Sequence, residues 1–144
     1  PPGQARTSAT SANNSRLVVF KLDGTAQLPA TPLPGAAVTP RKLNPPLLTG
    51  THEQVIDGQG AYGRFCAGCH GQGGVADKSI PDLRYSPVLN SLSEWNSIVI
   101  DGARKDNGMV SFKSVLAEGQ AEAIFHYIVS QANKDKAAEQ AARH

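Results

Sequence analysis

Only two cysteines occur in this chain of 144 residues, and both lie in the stretch RFCAGCHG. Cys66 and Cys69 are three positions apart, and His70 follows directly. Cys-x-x-Cys-His is the attachment signature of a c-type haem. Two thiols at this spacing can add across the two vinyl groups of one porphyrin, and the adjacent histidine then lies below the iron as its proximal ligand. The motif therefore predicts one covalently bound haem c, with His70 as an iron ligand.

Three other interpretations of the two thiols compete with haem attachment. A thioredoxin-like redox pair is one, but no βαβ pattern surrounds the motif. Half of a zinc site is another, but a structural zinc site needs a second pair of ligands and the chain has no further cysteine. A short structural disulfide is the third. All three fit the sequence less well than haem attachment does.

Met109 is the only methionine and lies 39 residues after His70, in the stretch DNGMVSF. A methionine as the second axial ligand raises the haem reduction potential and fills the iron's last free position, which favours electron transfer over oxygen chemistry. Core packing is the competing role of a single methionine. Because Met109 is unique, lies in a predicted loop and follows well after the haem motif, it is predicted to be the second axial ligand. His126 is a weaker candidate ligand, and its other interpretation is a partly exposed helix residue. His52 and His144 are predicted to be solvated.

Proline is distributed unevenly along the chain, since eight of the ten prolines lie in its first third. Residues 1–28 are predicted to comprise a disordered start and a β-hairpin over 15–28, with its turn at Asp23-Gly24. Residues 29–50 hold six prolines and are predicted to form an extended linker.

Helix and loop are predicted after Gly50. A first helix is expected over 51–66 with Thr51 as its N-cap, followed by a loop over 67–91. Ser93 is predicted to cap a short helix that ends at Gly102. The last strong helix is predicted over about 118–134, and residues 135–144 are expected to fray as a C-terminal tail.

Composition excludes some function classes. A net charge of +2, without a basic run, argues against nucleic acid. No apolar stretch approaches the roughly 18 residues that span a bilayer, so no membrane partner is expected. The opening Pro1-Pro2-Gly3 lacks a signal-peptide pattern and is typical of the middle of a longer protein.

Residues 51–134 resemble a class I cytochrome c, which implies a mainly α fold. Gly58 and Tyr62, eight and four positions before Cys66, match the family's first-helix pattern. Ile124 and Tyr127 match its last-helix pattern. In that family the two helices cross closely, and the glycine lets their backbones approach.

The same resemblance assigns roles to three further residues. The carbonyl of Pro81 is expected to accept the Nδ1 proton of the proximal histidine and to make it a better donor to iron. Arg84 is a candidate partner for a haem propionate. Trp95 is a candidate indole donor to the other propionate. The competing roles are a solvated arginine and a core tryptophan.

A narrower resemblance covers the chain from about residue 15. RLVVFKLDGTAQLPA, the proline-rich linker, YGRFCAGCHG, PDLRYS, IVIDGA and NGMVSF together are similar to the C-terminal end of quinohaemoprotein alcohol dehydrogenases. These are periplasmic enzymes whose β-propeller holds pyrroloquinoline quinone and Ca²⁺. The resemblance implies that the hairpin is the remnant of a propeller absent from this chain, joined by the linker to a cytochrome domain.

The implied role is a relay. Such a domain takes electrons one at a time from the quinone and passes them to an external acceptor, such as a blue copper protein or another cytochrome. No alcohol oxidation is expected from the chain alone. A freestanding soluble cytochrome c is the alternative, and a haem sensor or weak peroxidase from which Met109 dissociates is a third possibility.

Overall fold

A computed structural model of the chain describes residues 22–25, 41–76 and 80–142. The chain divides into two units, Pro1–Pro40 and Arg41–His144. In the first unit, Leu22 and Asp23 form an exposed turn in which Asp23 has a left-handed φ of 61°, a conformation that aspartate tolerates better than most residues. The rest of the predicted hairpin and the linker up to residue 40 lie outside the described residues.

The described residues of the second unit form four α-helices. They are α1 (His52–Phe65), α2 (Ala67–His70), α3 (Leu92–Val99) and α4 (Gln120–Ala141), with short 3₁₀ turns at Gln72–Gly74, Leu83–Tyr85, Pro87–Asn90 and Lys105–Asn107. No strand occurs in the part of the chain that the structure describes. The prediction of a mainly α fold is confirmed. Across the same residues, no helix is both long enough and apolar enough to cross a bilayer.

The start of α1 is fixed by a reciprocal capping box. Thr51 Oγ1 accepts from the Gln54 backbone N–H at 3.2 Å, and Gln54 Oε1 accepts from the Thr51 N–H at 2.9 Å. Two N–H groups that a helix start leaves without partners are satisfied in this way. The predicted N-cap is confirmed, and α1 ends one residue before the first cysteine.

The core forms where α1 crosses α4. A Cβ built on Gly58 would lie 1.9 Å from the carbonyl oxygen of Ala123, so the two backbones touch and only glycine fits. One turn along α1, the rings of Tyr62 and Tyr127 pack with their centroids 5.3 Å apart. Among the described residues, the largest fully buried side chains are Tyr62, Leu89, Ile124, Ile128 and Val129. The close helix crossing expected from the family pattern is confirmed.

The short helix α3 begins two residues earlier than predicted. Ser91, and not Ser93, is its N-cap, because Ser91 Oγ accepts from the Glu94 backbone N–H at 3.1 Å. Both serines suit a cap, and the prediction chose the wrong one. Trp95 and Val99 are the buried residues of α3.

Helix α4 continues to Ala141, seven residues beyond the predicted end at about 134. Its last turns have partners outside the helix, since Asp135 accepts from Arg84 at 2.7 Å and Glu139 accepts from the Tyr85 hydroxyl at 3.4 Å. His126 on α4 is only 5% exposed, so its interpretation as a partly exposed residue is wrong.

Residues 41–50, which we call the strap, lie against the helices of their own unit. Leu43 is 5% exposed, and Asn133 Nδ2 on α4 donates to the Pro46 carbonyl at 2.9 Å. The Arg41 guanidinium lies 4.8 Å from the ring centroid of Tyr85. The prediction placed these residues in the linker, whereas the structure places them in the helical unit.

Candidate functional site

The Cys-x-x-Cys-His motif is held in a single helical turn directly after α1. The Cys66 N–H donates to the Tyr62 carbonyl at 2.9 Å, and the His70 N–H donates to the Cys66 carbonyl at 2.9 Å. Cys66 is partly buried, Cys69 is exposed, and neither is in a disulfide. Both thiols are therefore free for attachment to a porphyrin.

A hydrogen bond closes the motif at its far end. The Tyr62 hydroxyl donates to the Gly71 carbonyl at 2.7 Å. Burial raises the pKa of the Tyr62 phenol above its ordinary value, so the hydroxyl keeps its proton at neutral pH. Gly71 has a φ of 69°, and a Cβ there would lie 2.2 Å from the Val75 carbonyl oxygen. The sharp turn after His70 therefore needs a glycine.

The pKa of the Cys66 thiol distinguishes between haem attachment and redox chemistry. Burial, with a smaller contribution from Cys69, raises the pKa of Cys66 to about 11. Redox-active cysteines and zinc ligands act as thiolates and have lowered pKa values. Cys66 is a neutral thiol at neutral pH, which disfavours a thioredoxin-like pair.

The proximal histidine faces a backbone carbonyl. His70 Nδ1 lies 3.4 Å from the Pro81 carbonyl oxygen. A carbonyl oxygen only accepts hydrogen bonds, so this contact favours a proton on Nδ1 and leaves the lone pair of Nε2 available to a metal. The geometry suits the predicted roles of His70 and Pro81, which stay predictions.

Met109 lies in a loop that is bonded back onto the preceding chain. Its N–H donates to the Arg104 carbonyl at 3.2 Å, and the Phe112 N–H donates to the Val99 carbonyl at 2.8 Å. The Ser111 hydroxyl donates to the Ile100 carbonyl. Met109 is partly buried and packs against the edge of the core. Its role as a ligand stays a prediction.

Arg84 forms ion pairs with two carboxylates of the protein itself. Its guanidinium binds Asp82 through Nη2 at 2.6 Å and Nε at 3.0 Å, and Asp135 through Nη1 at 2.7 Å. The side chain is only 11% exposed. Two carboxylates already balance its charge, so the competing role of a solvated arginine is wrong. Its expected contact with a haem propionate stays a prediction.

Trp95 is a core residue, and its contacts favour the competing role; its expected role as a propionate donor stays a prediction. An indole has one N–H, and that of Trp95 donates to the Ala121 carbonyl at 2.8 Å. Its ring packs edge-on against Phe125 at 5.7 Å between centroids. The polar end of the ring therefore ties α3 to the start of α4.

The donor groups of this site fit a haem. Two free thiols, a histidine with Nε2 available and a partly buried methionine are the groups that covalent attachment and axial ligation require. Cys66 and Cys69 would hold the porphyrin, and His70 and Met109 would hold the iron. A haem bound in this way supplies a one-electron couple between ferric and ferrous iron.

Sequence reasoning missed the acidic partners of Arg84. The pattern Asp82-x-Arg84 is a local signal, since residues two apart can pair across a tight turn. No sequence pattern indicated Asp135 as a partner, because it lies 51 residues from Arg84 in the chain. Tyr62 was expected only to pack, and its hydrogen bond to Gly71 was also missed.

The comparisons with known proteins agree with this site. Residues 53–128 match the family described as "Cytochrome C oxidase, cbb3-type, subunit III". A quinohemoprotein alcohol dehydrogenase, ADH IIB, from Pseudomonas putida is 42% identical over 123 residues, which are 85% of this chain and 17% of that protein.

Two further relatives have similar coverage. The dehydrogenase subunit of the alcohol dehydrogenase (quinone) of Gluconobacter oxydans is 35% identical over 92% of this chain and 17% of its own length. The 1-butanol dehydrogenase (cytochrome c) of Thauera butanivorans is 33% identical over 79% of this chain and 16% of its own length. The chain thus spans about one sixth of the length of these curated relatives.

The helical fold and the thiol–histidine motif define a class, the cytochrome c domains, whose members bind haem c and transfer electrons. More particularly, the chain belongs to the family described as cytochrome c oxidase, cbb3-type, subunit III, and it is homologous to quinohaemoprotein alcohol dehydrogenases.

Proposed function

We propose that this chain is the electron-relay domain of a periplasmic quinohaemoprotein alcohol dehydrogenase. The chain accepts electrons one at a time from a pyrroloquinoline quinone in a calcium-containing propeller domain, and passes them to an external blue copper protein or cytochrome. The observation that carries this proposal is the Cys66–His70 turn: it offers two free thiols and a histidine whose Nδ1 faces the carbonyl of Pro81, 3.4 Å away.

The relatives support the choice of donor. Several of them are described as quinohaemoprotein or quinone-dependent alcohol dehydrogenases, and the similarity extends over most of this chain. Alcohol oxidation releases two electrons, whereas a haem carries one. A relay of this kind therefore works in two successive transfers, and the oxidation itself belongs to the quinone site of the dehydrogenase.

The residues of this chain have three tasks in such a relay. Cys66 and Cys69 retain the porphyrin, so that the carrier is not lost by dilution. His70 and Met109 would hold the iron from its two sides, which would leave no open position for O₂ or peroxide. The tyrosine–glycine hydrogen bond and the loop bonds around Met109 hold the ligand-bearing segments in place during electron transfer.

Carbon monoxide tests the relay against a sensor or peroxidase. The haem-loaded chain is reduced with dithionite and exposed to carbon monoxide, and the visible spectrum is followed. We expect a six-coordinate, low-spin spectrum that carbon monoxide does not change rapidly. A five-coordinate, high-spin ferrous haem that binds carbon monoxide readily would rule out the relay.

The electron donor needs a separate test. A quinoprotein alcohol dehydrogenase without its own haem is mixed with the haem-loaded, oxidised chain, and an alcohol is added. We expect two chains to be reduced for each alcohol oxidised. If the chain is reduced only by other cytochromes, it is a freestanding carrier.

A further inference from the structure

The segment after Pro81 carries a set of ion pairs that haem attachment does not require. The Arg84 guanidinium grips Asp82 with two N–H groups, at 2.6 and 3.0 Å, and reaches Asp135 on α4 with a third, at 2.7 Å. The side chains of Arg84 and Asp82 are 11% and 5% exposed. A forked guanidinium–carboxylate contact of this kind fixes orientation as well as distance.

Arg84 is charged, and both side chains are largely removed from solvent. Burial by itself would lower the pKa of Arg84, but its hydrogen bonds to Asp82 and Asp135 and their charges raise it above its ordinary value. The guanidinium therefore stays charged throughout the neutral range. Removing one partner of such a pair leaves a buried charge without compensation, so the three side chains act together.

The ion pairs act on the peptide group that faces His70. The Pro81 carbonyl belongs to the planar peptide unit that joins Pro81 to Asp82, so its direction follows the position of Asp82. Asp82 is fixed twice, because its Oδ1 also accepts from the Arg84 backbone N–H at 3.1 Å. The carbonyl oxygen of that unit lies 3.4 Å from His70 Nδ1.

We propose that Arg84, anchored to α4 through Asp135, is a positioning residue that holds the Pro81 carbonyl against His70 and so lowers the reduction potential of the iron that His70 binds. A carbonyl that accepts the Nδ1 proton makes the imidazole a stronger donor. A stronger donor stabilises ferric over ferrous iron, which lowers the potential. This inference rests on the proposed haem-binding function.

Arg84→Lys is the first test, because it keeps the charge and removes the fork. If the oxidised form loses about threefold to tenfold in relative stability, the potential rises by roughly 30 to 59 mV for a one-electron couple. Asp135→Asn should raise the potential by less, since Asp82 keeps its contact with Arg84. Potentials are measured by spectroelectrochemistry on the haem-loaded chain.

In Arg84→Gln, two effects change the reduction potential in opposite directions. Removing a positive charge stabilises ferric haem and lowers the potential, and the same holds if Arg84 neutralised a propionate. Loss of positioning raises the potential. Lys134→Gln is the matched control: it removes one positive charge from an exposed residue next to Asp135, and its potential should fall slightly or stay unchanged.

A second measurement reports on the hydrogen bond itself. In the reduced protein, the His70 Nδ1 proton should exchange with solvent faster in Arg84→Lys than in the wild type, as followed by NMR. Lys134→Gln should leave this exchange rate unchanged. Should Arg84→Gln fail to fold, Arg84→Lys and Asp135→Asn still test the proposal.

The outcomes separate the two proposals. A wild-type chain without a low-spin, six-coordinate haem overturns the proposed function and this inference with it. A normal wild-type spectrum, with an unchanged potential and unchanged proton exchange in Arg84→Lys and Asp135→Asn, overturns only the positioning role, even if both variants are less stable. Exchange of the His70 Nδ1 proton in Arg84→Gln that is no faster than in Lys134→Gln overturns it as well.

Discussion

His70 has two ring nitrogens, and its surroundings determine which of them carries the proton. The Pro81 carbonyl, 3.4 Å from Nδ1, favours the proton on that side. The opposite nitrogen is then the one available to a metal, and its strength as a donor depends on how well the carbonyl is held. A backbone oxygen and a buried arginine are therefore as much a part of the site as the two thiols.

Met109→Ala tests the second axial ligand. Removal of the thioether should lower the reduction potential, because methionine ligation raises it. It should also abolish the near-infrared band that arises from sulfur–iron bonding. Val110→Ala, at the next and exposed position, serves as the control and should leave the band in place. An unchanged band in Met109→Ala would show that another residue binds the iron.

Trp95→Phe tests whether Trp95 acts in the core or at the haem. The substitution removes the buried donor to the Ala121 carbonyl, and we expect a loss of about 1–3 kcal/mol in the free energy of unfolding. The reduction potential should hardly change. Denaturant unfolding and potentiometry give the two values. A large shift in the reduction potential with unaltered stability would support the role of Trp95 as a donor to a haem propionate.

The element that most determines the architecture is the crossing of α1 and α4. The Gly58 backbone lies directly on the Ala123 carbonyl, and the tyrosine pair packs one turn further along α1. Because α1 runs to Phe65, the crossing also fixes where the cysteine motif begins. Packing at this point therefore positions the haem-binding turn.

Gly58→Ala should push these two helices apart. Its Cβ would lie 1.9 Å from the Ala123 carbonyl oxygen, and backbone cannot move aside cheaply. We expect a loss of about 3 kcal/mol or more in the free energy of unfolding.

The same helix offers a matched control. Gly60 has open space around its Cβ position, so Gly60→Ala should stabilise the protein by up to about 1 kcal/mol through helix propensity. Thermal or denaturant unfolding measures both variants. Equal effects at the two positions would contradict the close crossing.

The features that could be predicted from the sequence are those determined by residues close together in the chain. The Thr51 cap and the Cys-x-x-Cys-His motif follow from residues a few positions apart, and both were found. The helical turn of the motif, Ala67–His70, was instead predicted as loop. The partner of Trp95 lies 26 residues away and that of Arg84 lies 51 residues away. Such partners are decided by packing between elements, which no local pattern contains.

At the scale of the whole molecule, the helical unit includes the strap. Leu43 is buried, and the Pro46 carbonyl accepts from Asn133 on α4. The proline content correctly indicated that these residues form neither helix nor strand. It could not indicate that an extended segment would lie along a helix and not in solvent.

A shortened chain tests the strap. A protein of residues 51–144 should be less stable than one of residues 41–144 by about 2–4 kcal/mol, from the burial of Leu43 and the hydrogen bond at Pro46. Leu43→Ala in the longer chain should reproduce most of this loss. Both are measured by denaturant unfolding of the haem-loaded proteins. Equal stabilities would mean that the strap does not hold to the helices.

The contact between the strap and α4 also bears on how such a unit is reused in evolution. The chain comes in alongside α4, where Asn133 binds Pro46, and the helix ends at Ala141, roughly 12 Å further along its axis. A unit that receives and releases the polypeptide at nearby points can be spliced to another protein without rebuilding its interior.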